Sequence, residues 1–361
     1  MAGKGHGMLT TRKALKKLIL WVAAGCLLIA GVTVLFDPFY QYHGPLFGMP
    51  GVLFERETQV IGSIRHFEYD SILLGSSVVE NCDGDYLDSV YGIKTLKAVK
   101  GSGSTADLMY YLHAAHEKQE LVQVFYGLDL FALKKPCEVT VISEYSPSYL
   151  YTETFLDDGQ YLFNKDVLLK KIPMLLAYTL RRQYTGGHAY DWSKGKEFSA
   201  SKAMEAYAGP NEPIPEQSDD YDREIIAQNI ALIADEIESH PDTHYTIFFP
   251  PYSLLMWDDV VRKGELEEYC YTLDQVLARL TGFANTDVYY FQTEKEIVYN
   301  LDLYMDNMHY SPDINQYMLT CMAGKDERYL LTEESWRGAS GALRQMCEEI
   351  ATEEIYRYYP R

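Results

Sequence analysis

Residues 70–77 read DSILLGSS, an apolar run behind Asp70 that stops at one glycine and two serines. Such a short run, bounded by turn formers, reads as a strand buried on both faces. Outward from it the same cadence repeats. Lys94-TLKAV runs into KGSGST at 100–105. From Thr105 to Lys118, Leu108, Leu112 and Ala115 share one helical face, and Ser104 stands at the N-cap position. Leu121-VQVFYG is a third strand, ending at Gly127-Leu128-Asp129. Strand, loop, helix, strand at this spacing predicts βαβ units and a parallel sheet, and uninterrupted apolar strands suit a sheet covered on both sides. Downstream, residues 222–240 predict an amphipathic helix, and Thr243-HYTIFFPPYS a strand broken by Pro250-Pro251. Residues 257–281 predict a further helix, Asp287-VYYF a fifth strand, and the chain turns helical again after Pro312. The expected fold is α/β: a three-layer αβα arrangement around a mainly parallel five-stranded sheet, flavodoxin-like, preceded by one N-terminal transmembrane helix.

That helix is read from residues 18–36, LILWVAAGCLLIAGVTVLF, which carry no charge. About 20 apolar residues at 1.5 Å each cross the hydrocarbon of a bilayer. Lys4, Arg12, Lys13, Lys16 and Lys17 precede it, and no acidic residue appears before Asp37. Basic residues stay cytoplasmic, so 1–17 is expected inside and the rest outside, at the cell surface. A cleaved signal peptide is the competing reading. No A-x-A site follows, and the exit FDPFYQYHGP is aromatic and proline-bearing, as suits the interface. Residues 37–69 read as a connector packed on the domain, 70–361 as the domain itself. The Tyr-rich stretch of about 136–209 reads as an insertion over the strand ends, partly helical between Asp166 and Arg182.

Charge divides along the chain. The whole carries 32 Lys+Arg against 52 Asp+Glu; without the five N-terminal basic residues, 27 face 52, a net −25. Such a surface repels nucleic acid, whose phosphates gain affinity from Lys and Arg. Cys82, Cys137, Cys270, Cys321 and Cys347 lie outside the apolar segment, an odd number, widely spaced and without C-x-x-C. Neither a disulfide framework nor a metal site is indicated, and isolated buried thiols are expected. His113 and His116, three apart, lack the H-E-x-x-H pattern and read as solvated. GSGST lacks the lysine of a phosphate-cradling loop. No cofactor is expected.

Chemistry is expected at the strand C-termini, where open α/β sheets build their sites. Ser76-Ser77, Gly101-Ser102-Gly103, Asp129 and Asp306-Asn307-Met308-His309 all fall there. A serine hydroxyl attacks well only when a base takes its proton, and an imidazole base needs an acceptor to orient it. Asp306 and His309 sit close enough in one turn to serve one serine together.

The order of these blocks resembles the SGNH (GDSL-like) hydrolase family, in particular its membrane-anchored DltD-like type of Gram-positive bacteria. The resemblance covers about 70–130 and 285–320. LLGSS is similar to the nucleophile block and places Ser77 as nucleophile, with Ser76 one residue out of register as the alternative. Gly103 falls at the glycine block, which with the Ser77 N–H implies an oxyanion hole, and YMDNMHYS supplies Asp306 and His309. The sequence departs from the family at the third block, where Asp129 stands in place of an asparagine whose amide helps hold the oxyanion; Asn81 is a substitute side-chain donor. Tyr252, after Pro250-Pro251, is expected to line the pocket. The resemblance implies a serine esterase or O-acyltransferase acting through an acyl-serine on a cell-wall or teichoic-acid-like glycopolymer, with a multi-pass membrane acyltransferase as partner. The alternative, which Asp129 keeps open, is a catalytically impaired envelope protein that binds a carrier, a polysaccharide or such a membrane acyltransferase.

Overall fold

In this computed structural model the structure describes residues 4–137, 146–152, 154–210, 214, 219 and 221–360. Parts of the predicted insertion, 138–145 and 153, therefore lie outside the described residues. The first element, α1 (Lys4–Phe36), contains one segment, Arg12–Phe36, long and apolar enough to span a membrane. The chain then forms α2 (Arg56–His66), β1 (Ser71–Gly75), α3 (Gly84–Tyr91), β2 (Thr95–Val99), α4 (Thr105–Lys118) and β3 (Gln123–Gly127). A π-turn at Val167–Lys171 leads into α5 (Ile172–Leu180), inside the predicted insertion. Next come α6 (Arg223–Ser239), β4 (His244–Phe249), α7 (Leu254–Arg262), α8 (Leu266–Leu280) and β5 (Thr286–Tyr290). The chain closes with α9 (Pro312–Ala323), β6 (Leu330–Leu331) and α10 (Ala339–Thr352).

The sheet has six strands, in the order β2-β1-β3-β4-β5-β6, and β1 to β5 are parallel. The five expected from sequence are all present, and the sixth is a correction. It is a two-residue strand pairing antiparallel with Val288 and Tyr289, too short to leave a periodic signal. Local signals account for the helix starts. Ser104 accepts from Asp107 N and Asp107 reaches back to the Ser104 N–H, closing a capping box at α4. Asp222 caps α6 by accepting from Glu224 and Ile225. The single helix expected over 257–281 is two, α7 and α8, because Gly264 takes φ +72°, a left-handed conformation that ends a helix.

Helices α2, α4, α6, α8 and α10 pack in succession, while α3 packs on α9. One continuous apolar core runs from Phe39 and Tyr40 through the strands to Ile355, and Leu150, Tyr161 and Ile172 of the inserted stretch join it. Residues 37–69 share that core and include α2, whose Val60, Ile61 and Ile64 are buried. Asp37 is the knot of this region. Buried at the end of α1, it accepts from the N–H groups of Gln41, Tyr42 and His43 and from the Tyr161 hydroxyl. Burial nevertheless pushes its carboxyl above its ordinary value. Cys82, Cys270, Cys321 and Cys347 are buried free thiols. His116 is a correction to the solvated reading: it is partly buried, stacks on His240 at 3.5 Å, and burial draws its pKa down to about 4.

Candidate active site

The parallel register brings the C-terminal ends of β1 and β3 side by side, with Gly75 opposite Gly127. The strand order reverses at β1, so the loops after β1 and β3 diverge and leave a crevice. Both strands end in glycine for a reason of space. A Cβ on Gly75 would lie 2.4 Å from Val79 Cγ2, and one on Gly127 would lie 2.3 Å from Val79 Cγ1. Gly75 also takes φ +153°, which side-chain-bearing residues rarely adopt. Val79 thus seats over the glycine pair, and the one-turn 3₁₀ helix Ser77–Val79 is fixed with Ser77 as its first residue.

Ser77 Oγ lies 2.8 Å from His309 Nε2. His309 Nδ1 lies 2.8 Å from Asp306 Oδ2, while Asp306 Oδ1 accepts from the N–H groups of Met308 and His309 at 2.8 and 2.7 Å. The turn carrying this pair is pinched by a bridge between Tyr304 and Tyr310 and tied to the end of β4, where Ser253 donates twice to the Asn307 carbonyl. Burial raises the Asp306 carboxyl, but its bonds to His309 and Met308 outweigh this and leave it below its ordinary value. The acceptor therefore stays ionised, as orienting an imidazole requires. Ser77 is partly exposed, and the His309 and Asp306 side chains keep about a quarter of their surface in solvent. Ser76 is buried beside it, and its hydroxyl is not the one that meets the imidazole.

The remaining predicted residues are placed differently. The Gly103 N–H donates to the Lys100 carbonyl within its own turn, so here it is engaged rather than directed at Ser77. Asn81 is buried; its Oδ1 accepts from the N–H groups of Trp192 and Ser193, and its Nδ2 is sealed from solvent. Its amide serves the inserted stretch rather than an open pocket. Asp129 Oδ1 accepts from the Phe131 N–H at 3.1 Å and from the Tyr252 hydroxyl at 2.8 Å. Burial is the largest influence on Asp129 and raises its carboxyl above the ordinary value, with the Tyr252 bond and the nearby His309 pulling the other way. Tyr252 is fully buried and stands behind the site through Asp129, instead of lining a pocket.

Sequence reading missed Trp192. Its indole Nε1–H donates to the Ser77 carbonyl at 2.8 Å, and its ring meets the His309 ring edge-on with centroids 5.3 Å apart. The neighbouring Asp191 pairs at 2.8 Å with Lys97, a buried β2 lysine that also donates to the carbonyls of Glu80 and Ala189. A second buried cation, Lys100, pairs with Glu57, which Arg56 and Ser146 also contact. These ion pairs hold α2 and the inserted stretch against the end of β2. No local pattern marks Trp192; it lies 115 residues from Ser77 in an aperiodic segment.

The fold and site define an α/β protein with a Ser–His–Asp hydrogen-bond relay at the strand C-termini. No family model and no curated protein matches the chain. Among solved structures, it aligns with one from Streptococcus pneumonia whose assignment as a platelet activating factor is provisional. The identity is 12%, the TM-score is 0.38, and the alignment covers 76% of this chain and 93% of that one.

Proposed function

We propose that this chain is a membrane-anchored serine esterase or O-acyltransferase of the SGNH type, DltD-like, with three-layer αβα packing and its domain outside the cytoplasm. The observation that carries the reading is the relay itself: Ser77 Oγ, His309 and Asp306 linked by two contacts of 2.8 Å. Ser77 Oγ attacks an acyl carbonyl as His309 Nε2 takes the hydroxyl proton. Asp306 keeps Nδ1 protonated and stabilises the imidazolium. The tetrahedral intermediate collapses, His309 returns the proton to the leaving oxygen, and an acyl-Ser77 ester remains. A second hydroxyl, from water or from a sugar or polyol, then attacks the ester as His309 takes its proton. The bond from the acyl carbon to Ser77 Oγ breaks, and His309 returns the proton to Ser77 Oγ, releasing the acid or new ester. Water makes the protein an esterase, and a glycopolymer hydroxyl makes it a transferase. The Ser77 N–H, at the open N-terminal end of its 3₁₀ turn, serves as an oxyanion donor. The partial exposure of Ser77 and His309 suits a bulky envelope polymer, and a multi-pass acyltransferase in the same membrane is a fitting acyl source.

Two observations favour a second reading, a binding protein with impaired chemistry: the engaged Gly103 N–H and the carboxylate of Asp129 where an amide donor would help. A fluorophosphonate probe separates the two. The full chain is expected to label, with labelling abolished in Ser77→Ala and His309→Ala. Equal labelling of parent and variants, or none at all in folded parent protein, leaves the binding reading.

A further inference from the structure

The inserted helix carries an apolar stripe turned away from the core. Leu169, Pro173, Leu176 and Leu180 recur at intervals of four, three and four and are all exposed, Leu169 by 75% and Leu180 by 84%. Val167 and Ile172 hold the opposite, buried side. Phe155 and Leu156 in the same insertion are exposed as well, as is Phe47 in the connector. Exposed apolar surface on this scale marks a binding face, because water alone gives no reason to keep it.

Its position says what covers it. Leu35 and Phe36, the last residues of α1, share a cavity of about 210 Å³ with Leu46 and Phe47 of the connector and Leu175 and Leu176 of α5. Its lining is almost wholly apolar. Thr33 of α1 donates to the Leu162 carbonyl at 2.9 Å, Lys171 pairs with Glu55 at 2.7 Å, and Phe54 stacks on Tyr178. The stripe is thus held beside the point where α1 leaves its apolar span. Charge agrees: residues 165–182 hold Lys165, Lys170, Lys171, Arg181 and Arg182 against Asp166 alone, a local +4 in a chain of net −20. A helix with an apolar face and a basic rim lies in the plane of a bilayer, its cations among lipid phosphates.

We propose that this face is a phospholipid seat: α5 lies in the headgroup region of the leaflet into which α1 emerges, and the cavity between them takes an acyl chain. The domain then meets the membrane at two points, α1 and α5, which sets its tilt over the bilayer. The proposal rests on reading α1 as a membrane span.

The test uses the full chain with Cys26→Ala and Cys137→Ser, reconstituted in vesicles of phosphatidylcholine and phosphatidylglycerol. The environment-sensitive fluorophore NBD is attached at Leu169→Cys, Leu176→Cys or Leu180→Cys, and at Ala342→Cys on the exposed side of α10 as control. Lipids spin-labelled near the headgroup are expected to quench NBD at the three stripe positions by roughly half while sparing the control. Flotation with the vesicles reports on α1 separately. Failure to float overturns the membrane-span reading together with this one; flotation without quenching at the stripe overturns this one alone. Burial of the fluorophore in native membranes but not in lipid-only vesicles also overturns it, because a protein then covers the face.

Discussion

The indole N–H of Trp192 donates to the main-chain carbonyl of Ser77 across 2.8 Å, so the inserted stretch reaches back to hold the residue proposed as nucleophile. Trp192→Phe keeps a ring against His309 and deletes that bond. A hydrogen bond of this kind is worth about 1 kcal/mol. Fluorophosphonate labelling is expected to slow by roughly five-fold, a factor of ten corresponding to about 1.4 kcal/mol, with the melting temperature lowered by no more than about 4 °C. Trp192→Ala, which also removes the ring contact, is expected to slow it further; rates equal to the parent in both variants would show that Trp192 is only packing.

Val79 over the Gly75–Gly127 pair makes the second prediction. Gly127→Ala sets a methyl 2.3 Å from Val79 Cγ1 and 3.1 Å from the Phe248 ring, so the Ser77 turn has to move. Overpacking of this kind costs about 1–3 kcal/mol. A lower denaturant midpoint together with reduced Ser77 labelling is expected. The double variant Gly127→Ala/Val79→Ala is expected to recover labelling, which a general loss of stability would not allow.

Asp306 yields a pH dependence with a definite sign. Its folded carboxyl sits below the ordinary value of 3.8, so its contribution to stability is fully present above that value and is lost as pH falls through the lower folded one. Asp306→Asn is therefore expected to lower the melting temperature at neutral pH, with the difference from the parent closing at strongly acid pH. The substitution also lets the imidazole settle in the wrong tautomer, and labelling is expected to fall by a factor on the order of 10⁴.

Asp129 has the opposite sign. Its folded carboxyl is raised, so the ionised form is penalised and stability is lost as pH rises from 3.8 through the folded value. Asp129→Asn keeps an Oδ1 acceptor for Phe131 and Tyr252 and replaces the other oxygen with an N–H donor. It is expected to stabilise the protein at neutral pH, with the gain vanishing below pH 3.8, as thermal melts across the range would record. Labelling is expected to rise by roughly ten-fold or more, since one oxyanion donor is worth about 10²–10³ in rate. A slower variant would mean that the carboxylate itself supports the site.

Much of the fold was legible in the chain because local chemistry encodes it. Apolar runs of strand length and the Ser104 N-cap each act over a few residues, whereas the Gly264 break inside the expected 257–281 helix went unread. The apolar segment of α1, the parallel rhythm of β1 to β5, and the closeness of Asp306 to His309 in one turn follow from sequence spacing alone. Tertiary structure decided what depends on segments far apart in the chain. It set Ser77 rather than Ser76 against His309, which required Val79 to drop onto two glycines from different strands. It brought Trp192 to the Ser77 carbonyl and Asp191 to Lys97 of β2, and set Tyr252 behind Asp129. It also placed the stripe of α5 beside the end of α1. None of these contacts leaves a periodic trace, because each couples residues through packing across the fold rather than along a helix or strand.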